Sequence, residues 1–133
     1  MLKRLGAVAM VLAVAVAGAG AAQAQSPAFS VDFTWQGTTS CFDPKSPPFT
    51  LGGVPGGTKA LKFAMKDLDA PTYPHGGGSI AYDGQSEVRR GAFSYQGPCP
   101  PDGQHSYQWT VEALDGNGRT LARAIVTKKF PER

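Results

Sequence analysis

The chain has few residues able to carry chemistry: two cysteines, two histidines and a charged fraction of only 17%. Neither cysteine lies in a Cys-x-x-Cys pair and the histidines form no short pair, which argues against a structural zinc site. Asp67, Asp69, His75 and His105 could in principle share an ion, but their spacing is irregular and no metal is expected. The Gly-Lys-Ser/Thr phosphate loop and the dinucleotide glycine fingerprint are both missing, and no other cofactor is expected. Ser40, Ser94 and Ser106 stand in no nucleophile-elbow context, so serine hydrolase chemistry is disfavoured and the chain does not read as an enzyme. A sustained 3.6-residue apolar period with caps is absent too, and 17 Gly and 11 Pro favour turns over long helices.

Basic surplus is also scarce. The formal charge is +3, but Lys3 and Arg4 fall in a segment expected to be removed, leaving 11 basic against 10 acidic residues. A nucleic acid partner is not expected from so small a surplus. The expected removal rests on the N-terminus. Met1–Arg4 is a short positive region, Leu5–Ala22 is continuously apolar, and Ala22-Gln23-Ala24 offers small residues for cleavage. This is the pattern of a secretory signal peptide over residues 1–24, followed by a single domain over 25–133. The expected location is periplasmic or secreted, with no transmembrane segment after cleavage. In such an oxidising compartment Cys41 and Cys99 are expected to bond, the alternative being two buried free thiols.

The remaining pattern is β. Phe29, Val31, Phe33 and Trp35 alternate with polar residues, as do Leu61, Phe63 and Met65, and then Tyr107, Trp109, Val111 and Ala113. Asp115-Gly116-Asn117-Gly118 is hairpin chemistry, and Thr120–Lys129 would be the return strand. Ser79–Tyr82 is a weaker strand candidate. Thr34–Pro55, with four prolines, and Gly97–Gly103 read as loops. The fold class expected is all-β and helix-poor.

Phase locates the chemistry. The inward set Leu61, Phe63, Met65 continues to Asp67 and then Asp69, while Tyr107, Trp109, Val111 run backwards to His105. A carboxylate on an apolar face is costly unless hydrogen-bonded or solvated in a cleft. A polar pocket at one end of the sheet would explain it, and a capped turn with an exposed histidine is the alternative. His75 precedes Gly76-Gly77-Gly78, either a place of close backbone approach or a floppy hairpin tip.

These residues carry a resemblance. Asp67-Leu68-Asp69-Ala70-Pro71 resembles the Asp-Pro-Asp-Ala-Pro motif of phosphatidylethanolamine-binding proteins. Gly97-Pro98-Cys99-Pro100-Pro101-Asp102-Gly103, followed by His105-Ser106-Tyr107, resembles that family's Gly-x-Pro-Pro loop and His-Arg-Tyr, in the form of its bacterial Raf kinase inhibitor-like branch. Ser46-Pro47-Pro48-Phe49, Val54–Lys59 and Leu121-Ala122-Arg123-Ala124 are similar to the same branch. The resemblance implies an antiparallel β-sandwich with an anion pocket at one end. It implies Asp67, His75, Gly97, His105 and Tyr107 as pocket residues, with Asp69, Pro71, Pro98 and Pro100 as structural support. Leu68 stands where the family has Pro and Ser106 where it has Arg. The segment 72–96 is short, and the Asp115–Gly118 turn replaces a helix.

The function expected is therefore an exported binding module for a small anionic ligand such as a phosphate or phospholipid head group. Its donors would be His105, Tyr107 and the backbone near Gly97. The alternatives are a protein-interaction or protease-inhibitor module acting through surface loops such as Thr39–Pro55, with a protein partner, and a structural envelope domain.

Overall fold

The computed structural model describes residues 6, 13–20 and 26–133. The cleavage residues Ala22-Gln23-Ala24 and most of the expected signal lie outside the described residues. Among the described residues there is no helix, and so none long and apolar enough to cross a membrane. Seven strands form two antiparallel sheets. β1 (Ser30–Phe33), β2 (Phe49–Gly52) and β5 (Glu87–Val88) make a sheet ordered β1-β2-β5. β3 (Ala60–Asp67), β4 (Gly77–Ala81), β6 (His105–Leu114) and β7 (Thr120–Phe130) make a second, ordered β4-β3-β6-β7. The all-β, helix-poor reading agrees with this architecture.

Period-2 alternation decides which side chains meet between the sheets. β3 buries Leu61, Phe63 and Met65 while Lys62, Ala64 and Lys66 face solvent. β6 buries Tyr107, Trp109, Val111 and Ala113, and the short sheet supplies Val31, Phe33, Phe49, Leu51 and Val88. Trp109 lies within ring-packing distance of Phe33, Phe49, Phe63, Phe93 and Tyr95, mostly edge to face. Each such large side chain contributes about 1.5–3 kcal/mol by leaving water, and the aromatic geometry adds to that. The β6–β7 hairpin closes where expected: Asp115 Oδ1 accepts hydrogen bonds from the backbone N–H groups of Asn117 and Arg119, each at 2.9 Å.

Two assignments change. Thr34–Pro55 is not one loop, because Phe49–Gly52 forms the middle strand of the short sheet. Four prolines around so short an alternation conceal it in the sequence. Ser46 and Pro47 ahead of it are fully buried, while Thr39–Phe42, Pro44 and Lys45 are exposed. The Gly76-Gly77-Gly78 run is not a floppy tip either. Gly77 and Gly78 begin β4 and pair with Ala64 and Phe63. The Phe93 ring occupies the space a side chain would need at Gly78, where a Cβ would fall 2.7 Å from Phe93 Cβ.

Replacing Gly78 by Val should therefore overpack this edge and destabilise the fold by about 1–3 kcal/mol. The denaturant midpoint measures it. A midpoint unchanged from wild type would show that Phe93 does not press on β4.

Candidate functional site

Strand register builds the site. β3 and β6 pair so that Asp67 stands directly opposite Tyr107, and Met65 opposite Trp109. His105, two residues before Tyr107, shares its face. Two alternating sequences thus deliver a carboxylate, a phenol and an imidazole to one end of the interior. The cross-strand pairing is what turns separate phase arguments into one cluster.

Asp67 is 4% exposed and fully engaged. Its Oδ1 accepts from the backbone N–H of Asp69 at 2.9 Å and of Ala70 at 3.1 Å, and its Oδ2 accepts from His105 Nδ1 at 2.7 Å. Burial works against its charged form, but the bonds from His105, Asp69 and Ala70 outweigh burial and hold its pKa below the ordinary carboxylate value. Asp69 Oδ2 accepts from the Ser106 backbone N–H at 2.7 Å, tying the turn after β3 to the start of β6.

His75, 4% exposed, arrives from the approach to β4. Its Nδ1 donates to the Gln96 carbonyl at 2.6 Å, and the Gln96 N–H donates back to the His75 carbonyl at 2.9 Å. Its ring lies 5.5 Å from Tyr107 and 4.7 Å from Tyr73. Tyr107 is completely buried, with its hydroxyl close to the Asp67 carboxylate and the Cys99 backbone but in no well-formed hydrogen bond. Burial, reinforced by the nearby Asp67 carboxylate, raises its pKa well above the ordinary phenol value, so it stays a proton donor.

These groups line a cavity of about 280 Å³ formed by Phe42, Asp67, Ala70, Tyr73, His75, Cys99, Pro101, His105 and Tyr107. Of the residues singled out in the sequence, Asp67, His75, His105 and Tyr107 meet here, and Cys99 adds its side of the wall. Gly97 does not line the cavity. It lies under the backbone of the preceding loop, where a Cβ would fall 2.5 Å from the Asp43 carbonyl oxygen. A glycine is needed there for close packing. Pro98 is fully buried, Pro100 half-buried and Pro71 exposed. Phe42 and Tyr73 were missed by sequence reasoning. Neither falls on an alternating strand, and only the tertiary fold brings them to the cavity.

The loop carrying Phe42 is anchored on several sides. Cys41 and Cys99 form a disulfide with Cα atoms 4.7 Å apart, so the pairing expected from the even cysteine count is present. Arg90 donates to Asp43 Oδ2 at 2.6 Å and to the Gly37 carbonyl at 2.7 Å. The Tyr95 N–H donates to the Pro44 carbonyl at 3.0 Å. The Pro-rich segment and the Gly97–Gly103 loop therefore form one wall.

Asp67, Asp69 and His105 also bring potential metal-ligand atoms within 4.8 Å of one another, three of the four residues that the sequence analysis considered for a shared ion. In this structure His105 Nδ1 bonds to Asp67 and Asp69 Oδ2 accepts from the Ser106 N–H.

Comparison with known proteins places these features. No family model matches the chain. A UPF0098 protein of Chlamydia pneumoniae is 32% identical over 90 residues, covering 53% of this chain and 60% of the relative. A UPF0098 protein of Methanothermobacter thermautotrophicus is 32% identical over 91 residues, with the same shares. The match thus spans about 60% of the length of these curated relatives. Among solved structures, a phosphatidylethanolamine-binding protein homologue of Chlamydia trachomatis aligns with a TM-score of 0.60 at 20% identity, covering 80% of this chain and 99% of its own. E. coli YbcL, described as a member of the mammalian PEBP family, aligns with a TM-score of 0.60 at 22% identity, covering 80% of this chain and 100% of its own.

Two outcomes follow from the site's construction. Asp67 has a lowered folded-state pKa, so its stabilising contribution is complete above the unfolded carboxylate value and is lost as pH falls through the folded one. Asp67→Asn should cost about 1–3 kcal/mol at pH 7. The gap from wild type should narrow below about pH 4. Urea titrations at pH 7 and pH 3 measure it, and an equal gap at both would show that Asp67 is not held charged. Thiol titration of unreduced, unfolded protein should find no free thiol. Reduction should cost up to about 4 kcal/mol, given a sequence separation of 58 residues.

Proposed function

We propose that this chain, which has the fold of the phosphatidylethanolamine-binding proteins, is an exported binding module, not an enzyme, whose cavity takes a compact anionic group of the phosphate-ester type. The observation that carries the reading is the convergence of His75, His105 and Tyr107 on one small cavity, each histidine with its Nδ1 committed within the protein. Tyr107, kept protonated by burial and by the Asp67 carboxylate, forms part of the same wall. Polar groups converging in a small cavity are the usual mark of a binding site.

The two histidines support the same reading. Each has its Nδ1 committed, His105 to Asp67 and His75 to the Gln96 carbonyl, so Nε2 is the nitrogen left for a ligand. An imidazole fixed in this way donates from Nε2 as imidazolium, or accepts there from a protonated phosphate oxygen when neutral. Both forms suit a phosphate monoester, which changes its own protonation near neutral pH. The Asp67 carboxylate keeps its charge, and an imidazolium at His105, bonded to it, would offset that charge at the cavity wall. A cavity of about 280 Å³ admits a head group and leaves any acyl chains outside.

Export is supported by the disulfide, since bonds of this kind persist in oxidising compartments. The motif resemblance and the fold of the solved neighbours support the class of ligand. The surface-interaction alternative would rest on the exposed part of the same loop, Thr39–Phe42 with Pro44 and Lys45.

Inorganic phosphate or phosphoethanolamine at saturating concentration should raise the thermal midpoint of wild type by several degrees, because a ligand that binds only the folded state stabilises it. His105→Ala should abolish that rise. If neither compound shifts wild type, or if the variant responds as wild type does, the anion reading fails.

A further inference from the structure

The polar floor of the cavity has an aromatic rim that the anion reading leaves unused. Phe42 and Tyr73 stack with ring centroids 5.9 Å apart and planes inclined by 22°, and both line the cavity. They are 44% and 36% exposed, and Phe42 stands outside the hydrophobic core. Two rings stacked at the surface contribute little to the fold.

Phe42 is also strained. Its φ of +55° is the one positive value on a non-glycine residue among the described residues. A bulky L-residue in the left-handed region costs free energy, and such positions persist where the surroundings enforce them, often at ligand sites. Here the neighbouring Cys41–Cys99 disulfide and the Arg90–Asp43 ion pair enforce it. Tyr73 is set from the other side by the turn after β3, its N–H donating to the Ala70 carbonyl at 3.0 Å. Two separately anchored segments thus hold one ring each over the same opening.

We propose that the Phe42–Tyr73 stack is a specificity element, selecting anions joined to a flat aromatic group: aryl phosphate monoesters over inorganic phosphate. The inference rests on the anion reading above. A quaternary or primary ammonium group suits the rim less well. The two rings lie face against face and so do not converge into a cage around a cation. A flat ring extending the existing Tyr73–Phe42 stack needs no cage.

The test uses three probes of graded substituent on the full chain: inorganic phosphate, methyl phosphate and phenyl phosphate, with affinities from calorimetry. Wild type should bind phenyl phosphate about three- to tenfold more tightly than methyl phosphate, the range expected of one aromatic contact. Phe42→Gly removes the ring and suits the left-handed backbone, so its thermal midpoint should equal or exceed that of wild type. Its affinities for methyl and phenyl phosphate should fall within about twofold of each other. Equal binding of the two esters by wild type overturns this inference and leaves the anion reading standing. A preference that survives in Phe42→Gly overturns it as well. Failure of all three probes on wild type overturns the anion reading together with it.

Discussion

The pairing of β3 with β6 is the constraint on which the rest of the molecule depends. It sets Met65 against Trp109 and Asp67 against Tyr107, and so decides both where the aromatic core lies and where it ends. A one-residue slip would turn every inward side chain outward. Such a slip is strongly opposed, because Leu61, Phe63, Tyr107, Trp109 and Val111 are all almost wholly buried by the existing register. The polar cluster therefore takes its geometry from hydrophobic packing a few residues away. Asp67 and His105 need no strong interaction of their own to be brought together. Their hydrogen bond then fixes the imidazole within a geometry the core has already imposed.

The second level of organisation is the wall of loops closing that end of the sandwich. Prolines, a disulfide, the Arg90–Asp43 ion pair and backbone bonds all bear on the same few residues around 41–46 and 90–99. Individually a partly exposed ion pair contributes little. Together these ties remove conformations from a segment with no ladder of its own, and preorganisation of this kind is what a small binding site requires. Gly97 belongs to this economy of space. Without a side chain it lets the Asp43 backbone settle directly on the loop that carries Cys99.

The strand between the two motifs, β4, begins with the glycines Gly77 and Gly78. Phe93, arriving from the loop before Gly97, stacks on Phe63 at 4.8 Å and covers Gly78. The same chain therefore keeps His75 beside Tyr107 although the residues after it carry no side chains to pack. His75 itself is held by its paired hydrogen bonds with Gln96.

Much of this was legible in the sequence. Alternation over 61–67 and 105–113 gave the two central strands, their inward faces and the anomaly of polar residues continuing an apolar phase. The even cysteine count pointed to a bond that the structure contains. Such readings succeed because a strand's side-chain period is local and depends only on neighbouring residues. Other features became visible only in three dimensions. β2 was hidden among prolines because a short strand is stabilised by its partners rather than by its own propensity. The packing of Gly97 against the Asp43 backbone leaves no local signal, because Asp43 is distant in sequence. The Phe42–Tyr73 rim carries no periodic signal, and its rings meet only because a disulfide and a turn bring two irregular segments to the same opening. The sequence alone determined the strands and their inward faces through local alternation, whereas closure of the cavity was decided only by the tertiary structure, since long-range contacts leave no local period to read.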